Sequence, residues 1–173
     1  MSISVKNIVK TYGTQRAVDG ISFEIPSGEI VGFIGPNGAG KSTTMKIITG
    51  FLSDFEGEVL VNGIDVRQNP IEVKKSIGYL PEHNPLYLEM YVKEYLMFVA
   101  KIYGLNKDAE NIVDDIIKRV GLEKEVHKKI SMLSKGYRQR VGLAAVLVHD
   151  PKVLILDEPT TGLDPNQLIE IRS

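Results

Sequence analysis

The chain is 173 residues long, with 43% apolar and 25% charged residues, a net charge of −1 and no cysteine. That length suits one domain with a substantial core. The charge balance supplies no overall basic field to draw the chain to nucleic acid or an anionic membrane, and the lack of cysteine excludes disulfides and thiolate metal sites, which fits a reducing cytosol. The start, Met1 to Lys6, has no basic flank leading into an apolar run, so no secretory signal is read. The longest apolar stretches, such as Val141–Val148, are too short to span a bilayer. A membrane connection would therefore come through a partner.

In chain order, Ile3–Val9 alternates apolar and polar residues, and Ile21–Ile25 does so again after a turn expected at Asp19-Gly20. Glu29–Ile34 is a near-continuous apolar run stopped by Gly35, as expected of a strand covered on both faces. A helix is predicted over Lys41–Thr49, closed by Gly50. Gly57–Val61 reads as a strand ending in the Asn62-Gly63 turn pair, and Ile77–Leu80 as another short strand. The pattern then turns helical. Val92, Tyr95, Leu96, Val99, Ile102 and Tyr103 fall on one helical face; Ala109, Ile112, Val113, Ile116, Ile117 and Val120 form a second stripe. Both read as packing faces, separated by Gly104-Leu105-Asn106. A third helix, Arg138–Val148, is apolar nearly all round, hence buried, and stops at Asp150-Pro151 before the apolar strand Val153–Leu156. The last residues, Leu168 to Ser173, read as the middle of a helix without a stop signal, the pattern of a fragment.

The segment with the most chemistry is Gly35-Pro36-Asn37-Gly38-Ala39-Gly40-Lys41-Ser42, followed by Thr43. It fits G-x-x-x-x-G-K-[ST] after an apolar run and before a helix, the context a phosphate loop requires. Glycines at 35, 38 and 40 let successive backbone N–H groups converge on phosphate oxygens, and the helix start adds its positive end. Lys41 supplies a point charge for β- and γ-phosphates, and the Ser42 hydroxyl is a Mg²⁺ ligand. By residue frequencies the bare pattern arises by chance in roughly one chain of this length in a few hundred. The ligand read from it is ATP with Mg²⁺.

Asp157 and Glu158 stand at the C-terminal end of an apolar strand, the edge at which open α/β sheets bind ligands. Asp157 is the expected Mg²⁺ partner through a water, and Glu158 the residue that positions or deprotonates the attacking water. Alone, two acids at a strand end are as readily a solvated pair; beside a phosphate loop they are read as catalytic.

With these motifs the chain resembles the ATP-binding-cassette (ABC) ATPases, over essentially its whole length. Leu133-Ser134-Lys135-Gly136-Tyr137-Arg138-Gln139-Arg140 is similar to the family's signature region, Leu-Ser-Gly-Gly-Gln, with Lys135 in place of a glycine and Tyr137 in place of the glutamine. The resemblance implies that Ser134 and Gly136 contact the γ-phosphate held by the other subunit, so that the active unit is a head-to-tail homo- or heterodimer of ATPase domains. It implies an adenine-stacking role for Tyr12 and a Mg²⁺-sensing loop at Ile77–Glu82, with Glu82 where glutamine is usual, which puts direct metal coordination by that residue in doubt. It assigns dimer communication to Asp164, in Thr161–Asp164, beside a helix-capping role. The implied fold is an α/β phosphate-loop NTPase of ABC type: a mixed sheet core, an N-terminal antiparallel β-subdomain and a helical insertion. The 1–173 chain reads as a single, C-terminally incomplete ABC ATPase domain, with 1–80 and 150–173 as core and β-subdomain and 81–149 as the helical subdomain.

The family's switch histidine has no counterpart. His83, His127 and His149 are read as solvated or structural, and a chain of these 173 residues is expected to bind nucleotide but turn it over slowly. Within the family the phrases are similar to transporter ATPases of drug, lipid and polysaccharide export, including bacterial gliding-motility-associated ATP-binding subunits. The implied partner is a membrane permease subunit, whose short helix would sit in a groove of Tyr87, Met90 and the helix Val92–Tyr103. The implied location is cytoplasmic, peripheral on the inner face of the cell membrane. The alternatives are a soluble ABC ATPase acting on ribosomes or DNA, against which stand one phosphate loop, no heptad run and no basic excess, and a nucleotide kinase, which leaves residues 131–164 without an account. No nucleic acid is expected as partner.

Overall fold

The computed structural model describes residues 2–158, which form two compact units, one of residues 2–77 with 152–155 and the other of 78–151 with 156–158. The expected helix over 168–173 and the loop with Asp164 lie outside the described residues.

The first unit is built on a four-stranded antiparallel sheet in the order β2-β1-β3-β4, with β1 Ile3–Tyr12, β2 Gln15–Ile25, β3 Glu56–Val61 and β4 Ile64–Asp65. Ile8, Val59 and Val61 are fully buried on it. Asn62 and Gly63, both with positive φ, make the tight turn from β3 to β4 that the sequence signals. The expected turn at Asp19-Gly20 is instead a bulge inside one continuous strand: the partner of Ile8 is Ile21 and that of Lys10 is Val18, so β2 carries one extra residue there. A second bulge, at Lys6-Asn7 with Asn7 at φ 50, has a larger consequence. It shifts the parity of β1: Ile3 and Val5, with Ser4 between them, are buried before it, and Ile8 and Lys10 after it. Helix α1, Lys41–Ile48, packs on β2 and β3, and Gly50 at φ 66 closes it as expected. A short helix α2, Pro70–Ser76, had no clear sequence signal beyond Pro70 at its first turn.

Glu29–Ile34 departs from expectation. It forms no strand, and Ile30 and Ile34 are 103% and 93% exposed. An apolar run becomes a strand only where neighbours satisfy its N–H and C=O groups. Among the described residues no strand pairs with this run; the remaining strands are β5, Ile77–Leu80, and β6, Val153–Leu156. The same shortage leaves Leu154 of β6 exposed where a covered strand was expected.

The second unit is helical: α3 Val92–Ile102, α4 Ala109–Arg119 and α5 Lys135–Leu147 enclose one core, with Leu96, Val113, Leu122, Ile130, Val141 and Ala144 among its buried residues. The two apolar stripes face that core, although Ile102 at the end of the first is exposed. Helix α5 starts three residues earlier than the apolar pattern shows. Ser134 caps it by accepting the Tyr137 N–H at 3.4 Å. The buried face of α5 includes Gly136, Arg140 and Gly142, so the helix is amphipathic through small and paired residues rather than apolar all round.

Gly142 sits in mid-helix, where glycine costs about 1 kcal/mol relative to alanine. Its surroundings supply the reason: a Cβ there would collide with the side-chain amide of Asn84 and lie 2.9 Å from Leu80 Cδ1. Gly142→Ala is therefore expected to lower stability by about 1–3 kcal/mol, opposite in sign to the usual helix effect, and Asn84→Ala in the same chain to recover most of it. Urea denaturation of the three variants checks this. An alanine at 142 that stabilises the chain would contradict the packing.

Candidate functional site

The phosphate loop is shaped by backbone conformation. Gly38 and Gly40 have φ of 80 and 82, in the left-handed region that side chains disfavour, whereas Gly35 does not. Gly40 is the N-cap residue of α1, and its Cα lies so close to the Ala17 carbonyl of β2 that a Cβ would overlap it. Two independent reasons thus demand glycine at 40. The Ala39 N–H donates to the Pro36 carbonyl, closing a turn, while Thr44 N–H and Oγ1 both bond the Gly40 carbonyl and fix the first turn of α1. The Lys41 ammonium curls back to the carbonyls of Gly35, 2.7 Å, and Pro36, 2.9 Å. A cation at the start of a helix, held by two neutral acceptors, has charge left to offer an anion. Asn37, Ala39 and Ser42 are exposed, as are Pro36 and Gly38, and Thr43 is half-buried.

Tyr12 ends β1 at the hairpin with Gln15 and is half exposed. Behind it lies a group the motifs do not reveal. Lys10 is buried, its ammonium 2.8 Å from Asp54 Oδ2 and 4.9 Å from the centroid of the Tyr12 ring. The hydrogen bond from Lys10, then its charge, hold the Asp54 carboxyl below the usual carboxylate range.

In the second unit, Asp157 is buried at the end of β6, and its N–H donates to the Leu80 carbonyl at 2.9 Å. Tyr79 beside it has its hydroxyl pushed up chiefly by burial and further by the Asp157 charge, so it stays neutral. Glu158, exposed, has φ 50. A glutamate in that conformation is strained by about 1–3 kcal/mol, and such strain clusters at active sites. The left-handed conformation at Glu158, two residues beyond the end of β6, breaks the strand's alternation. Glu82 is exposed near His83 Nδ1, 3.9 Å, and His83 and His127 face solvent, while His149 stacks face to face on Tyr103 at 3.8 Å.

In the signature region, Ser134 and Lys135 are exposed and Gly136 is buried. Two arginines brace this segment. Arg138 donates to the carbonyls of Ile130, 3.2 Å, and Ser131, 2.7 Å, tying the preceding 3₁₀ turn to α5. Arg140 reaches the Val120 carbonyl at the C-terminal end of α4, 3.3 Å, and lies 5.5 Å from the Tyr137 ring centroid. Tyr137, in the place of the expected glutamine, is thus partly covered by packing on Arg140.

Each unit offers an oxygen donor of the kind a hard cation takes, the Ser42 hydroxyl in the first and the Asp157 carboxylate in the second, and there is no cluster of three or more His, Cys, Asp or Glu among the described residues. Mg²⁺, which keeps several waters and binds through one or two protein oxygens plus phosphates, fits such a set; a zinc-type site does not.

Comparison with known proteins agrees with this chemistry. The family model for ABC transporters matches residues 18–161. The chain is 41% identical to the ABC transporter ATP-binding protein YhcH of Bacillus subtilis over 98% of its own length. It is 38% identical to the bacitracin transport ATP-binding protein BcrA of Bacillus licheniformis, again over 98%. It spans 55% of the length of each of these relatives. A solved structure of an ATP-binding subunit of an ABC transporter superposes with a TM-score of 0.88 at 31% identity, covering 99% of this chain and 72% of that one. On these findings the chain belongs to the ABC transporter family of ATP-binding proteins.

Proposed function

We propose that this chain is the ATP-binding and ATP-hydrolysing part of an ABC exporter, coupling nucleotide-driven pairing of ATPase domains to a separate permease. The observation that carries the reading is the loop 35–43, with its left-handed Gly38 and Gly40, its cation at Lys41 and its position at the start of α1. The name of the relative BcrA, bacitracin transport, supports the export assignment. No helix among the described residues is long and apolar enough to cross a membrane, so attachment to the inner face of the membrane would go through the permease.

On this reading, the backbone N–H groups of Gly38 and of Gly40 to Thr43, with the Lys41 ammonium, bind the β- and γ-phosphates, and Tyr12 lies against the base. Ser42, and Asp157 through a water, would hold Mg²⁺, which neutralises charge on the phosphate oxygens. Glu158 accepts a proton from the water that attacks the γ-phosphorus. The bond from that phosphorus to the β–γ bridging oxygen breaks, and ADP and phosphate leave. Ser134, with the start of α5, would meet the γ-phosphate bound by a second ATPase domain, together with the Gly136 backbone; Glu82 would link that event to the helical unit, and Asp164 would carry it across the dimer. Loss of Lys41 and loss of Glu158 separate binding from chemistry. In the full-length protein, Lys41→Ala is expected to weaken ATP binding about tenfold or more. Glu158→Gln is expected to keep binding while steady-state phosphate release falls about 10²-fold or more. Unchanged turnover in Glu158→Gln would contradict the assignment.

The permease contact is read from α3 and the loop before it. Tyr87 meets Tyr95 and Phe98 edge-on, at 6.1 and 5.8 Å, and Tyr87, Leu88 and Phe98 remain 59%, 42% and 40% exposed. An aromatic platform that stays open on one side suits an amphipathic helix laid into it. Met90, half-buried against the helical core, adds an adaptable side chain on the same loop. Tyr87→Ala with Phe98→Ala is expected to abolish co-purification of a multi-span membrane protein from detergent extracts while ATP binding persists. Retention of that protein would place the contact elsewhere.

A further inference from the structure

A buried lysine needs an explanation, because desolvating an ammonium group is costly unless it is paired. Lys10 has two neighbours that offset this cost. Asp54, on the segment between α1 and β3, takes a charge-assisted hydrogen bond at 2.8 Å, and the Tyr12 ring presents its π-face at 4.9 Å. The arrangement follows from the bulge at Lys6-Asn7. Without it, the alternation that buries Ile3 and Val5 would turn Lys10 to solvent; with it, Lys10 and Tyr12 share a face two residues apart.

We propose that Lys10, paired at its tip with the solvent-exposed Asp54, is a positioning residue for the nucleotide base: it holds the Tyr12 ring in place from behind and draws electron density from it, so that the exposed face stacks more strongly on an electron-rich purine. The inference rests on the reading of Tyr12 as the base platform and adds to it the group that sets the platform's orientation and electronics. A side chain held in one rotamer before binding loses less entropy on stacking. A cation on one ring face strengthens the attraction of the other face for an electron-rich plate. Lys10 touches neither phosphate nor the reacting atoms. Its influence is confined to ligands that carry a base.

That restriction supplies the test. In the full-length protein, Mg-ATP and inorganic tripolyphosphate are titrated by calorimetry into the parent, Lys10→Met, Lys10→Arg and Tyr12→Ala. Lys10→Met keeps the apolar stem and removes the charge; it should weaken ATP binding about two- to fivefold and leave tripolyphosphate unchanged. Lys10→Arg, which keeps a cation over the ring, should restore ATP affinity. Lys10→Met combined with Tyr12→Ala should be no weaker than Tyr12→Ala alone. If Lys10→Met weakens both ligands equally, Lys10 is a strut of the fold and the proposal falls. If Tyr12→Ala loses ATP affinity and Lys10→Met does not, the platform stands and the role of Lys10 is overturned. If Tyr12→Ala loses nothing, the platform itself is absent and the role of Lys10 goes with it.

Discussion

The close approach of Gly40 to the Ala17 carbonyl is the constraint on which the nucleotide half of this protein is built. It brings the last turn of the phosphate loop against β2 with no room for a side chain, and it starts α1 at that point. A glycine at φ 82 turns the chain at the start of α1, where the first N–H groups of a helix have no intrahelical acceptor. Everything assigned to the first unit depends on this: Lys41 is the first residue of α1, Ser42 the second, and Thr44 locks the turn through the Gly40 carbonyl.

The helical unit uses similar economy in a different place. Its signature segment is positioned from below rather than by its own packing. Arg138 fastens the 3₁₀ turn before it, Arg140 fastens α5 to the end of α4, and Gly142 makes room for Asn84 on the loop that follows β5. Both arginines donate to backbone carbonyls at a turn or helix end, Ser131 and Ile130 for Arg138 and Val120 for Arg140. Such contacts fix orientation more than they add stability, and orientation is what a surface needs if it is to complete a site on a second molecule.

Much of this was legible in the residues. The loop 35–42 declares itself because few residue combinations satisfy a polyphosphate, and the turn at Asn62-Gly63 and the helix closure at Gly50 follow from local chemistry. The stripes of α3 and α4 are legible because a helix that buries one face must repeat at 3.6 residues. What escaped is what sequence periodicity does not encode. The bulges at Lys6-Asn7 and Asp19-Gly20 insert one residue each, and a period of two cannot survive an insertion, so the pattern does not reveal the burial of Lys10. Helix α5 begins at Lys135 because Ser134 caps it, although its first turn carries no apolar pattern. Glu29–Ile34 has the apolar character of a strand, yet a strand is defined by neighbours, which the run itself does not supply.

The most direct measurement of the central claim is the response of individual backbone amides to ligand. In ¹⁵N-labelled full-length protein, Mg-ATP should move the amide resonances of Gly38, Ala39, Gly40, Lys41 and Ser42 more than any others in the first unit, and adenosine should leave these five in place. Equal shifts with adenosine, or shifts with ATP that leave this loop untouched, would contradict a site built on main-chain donors gripping phosphate.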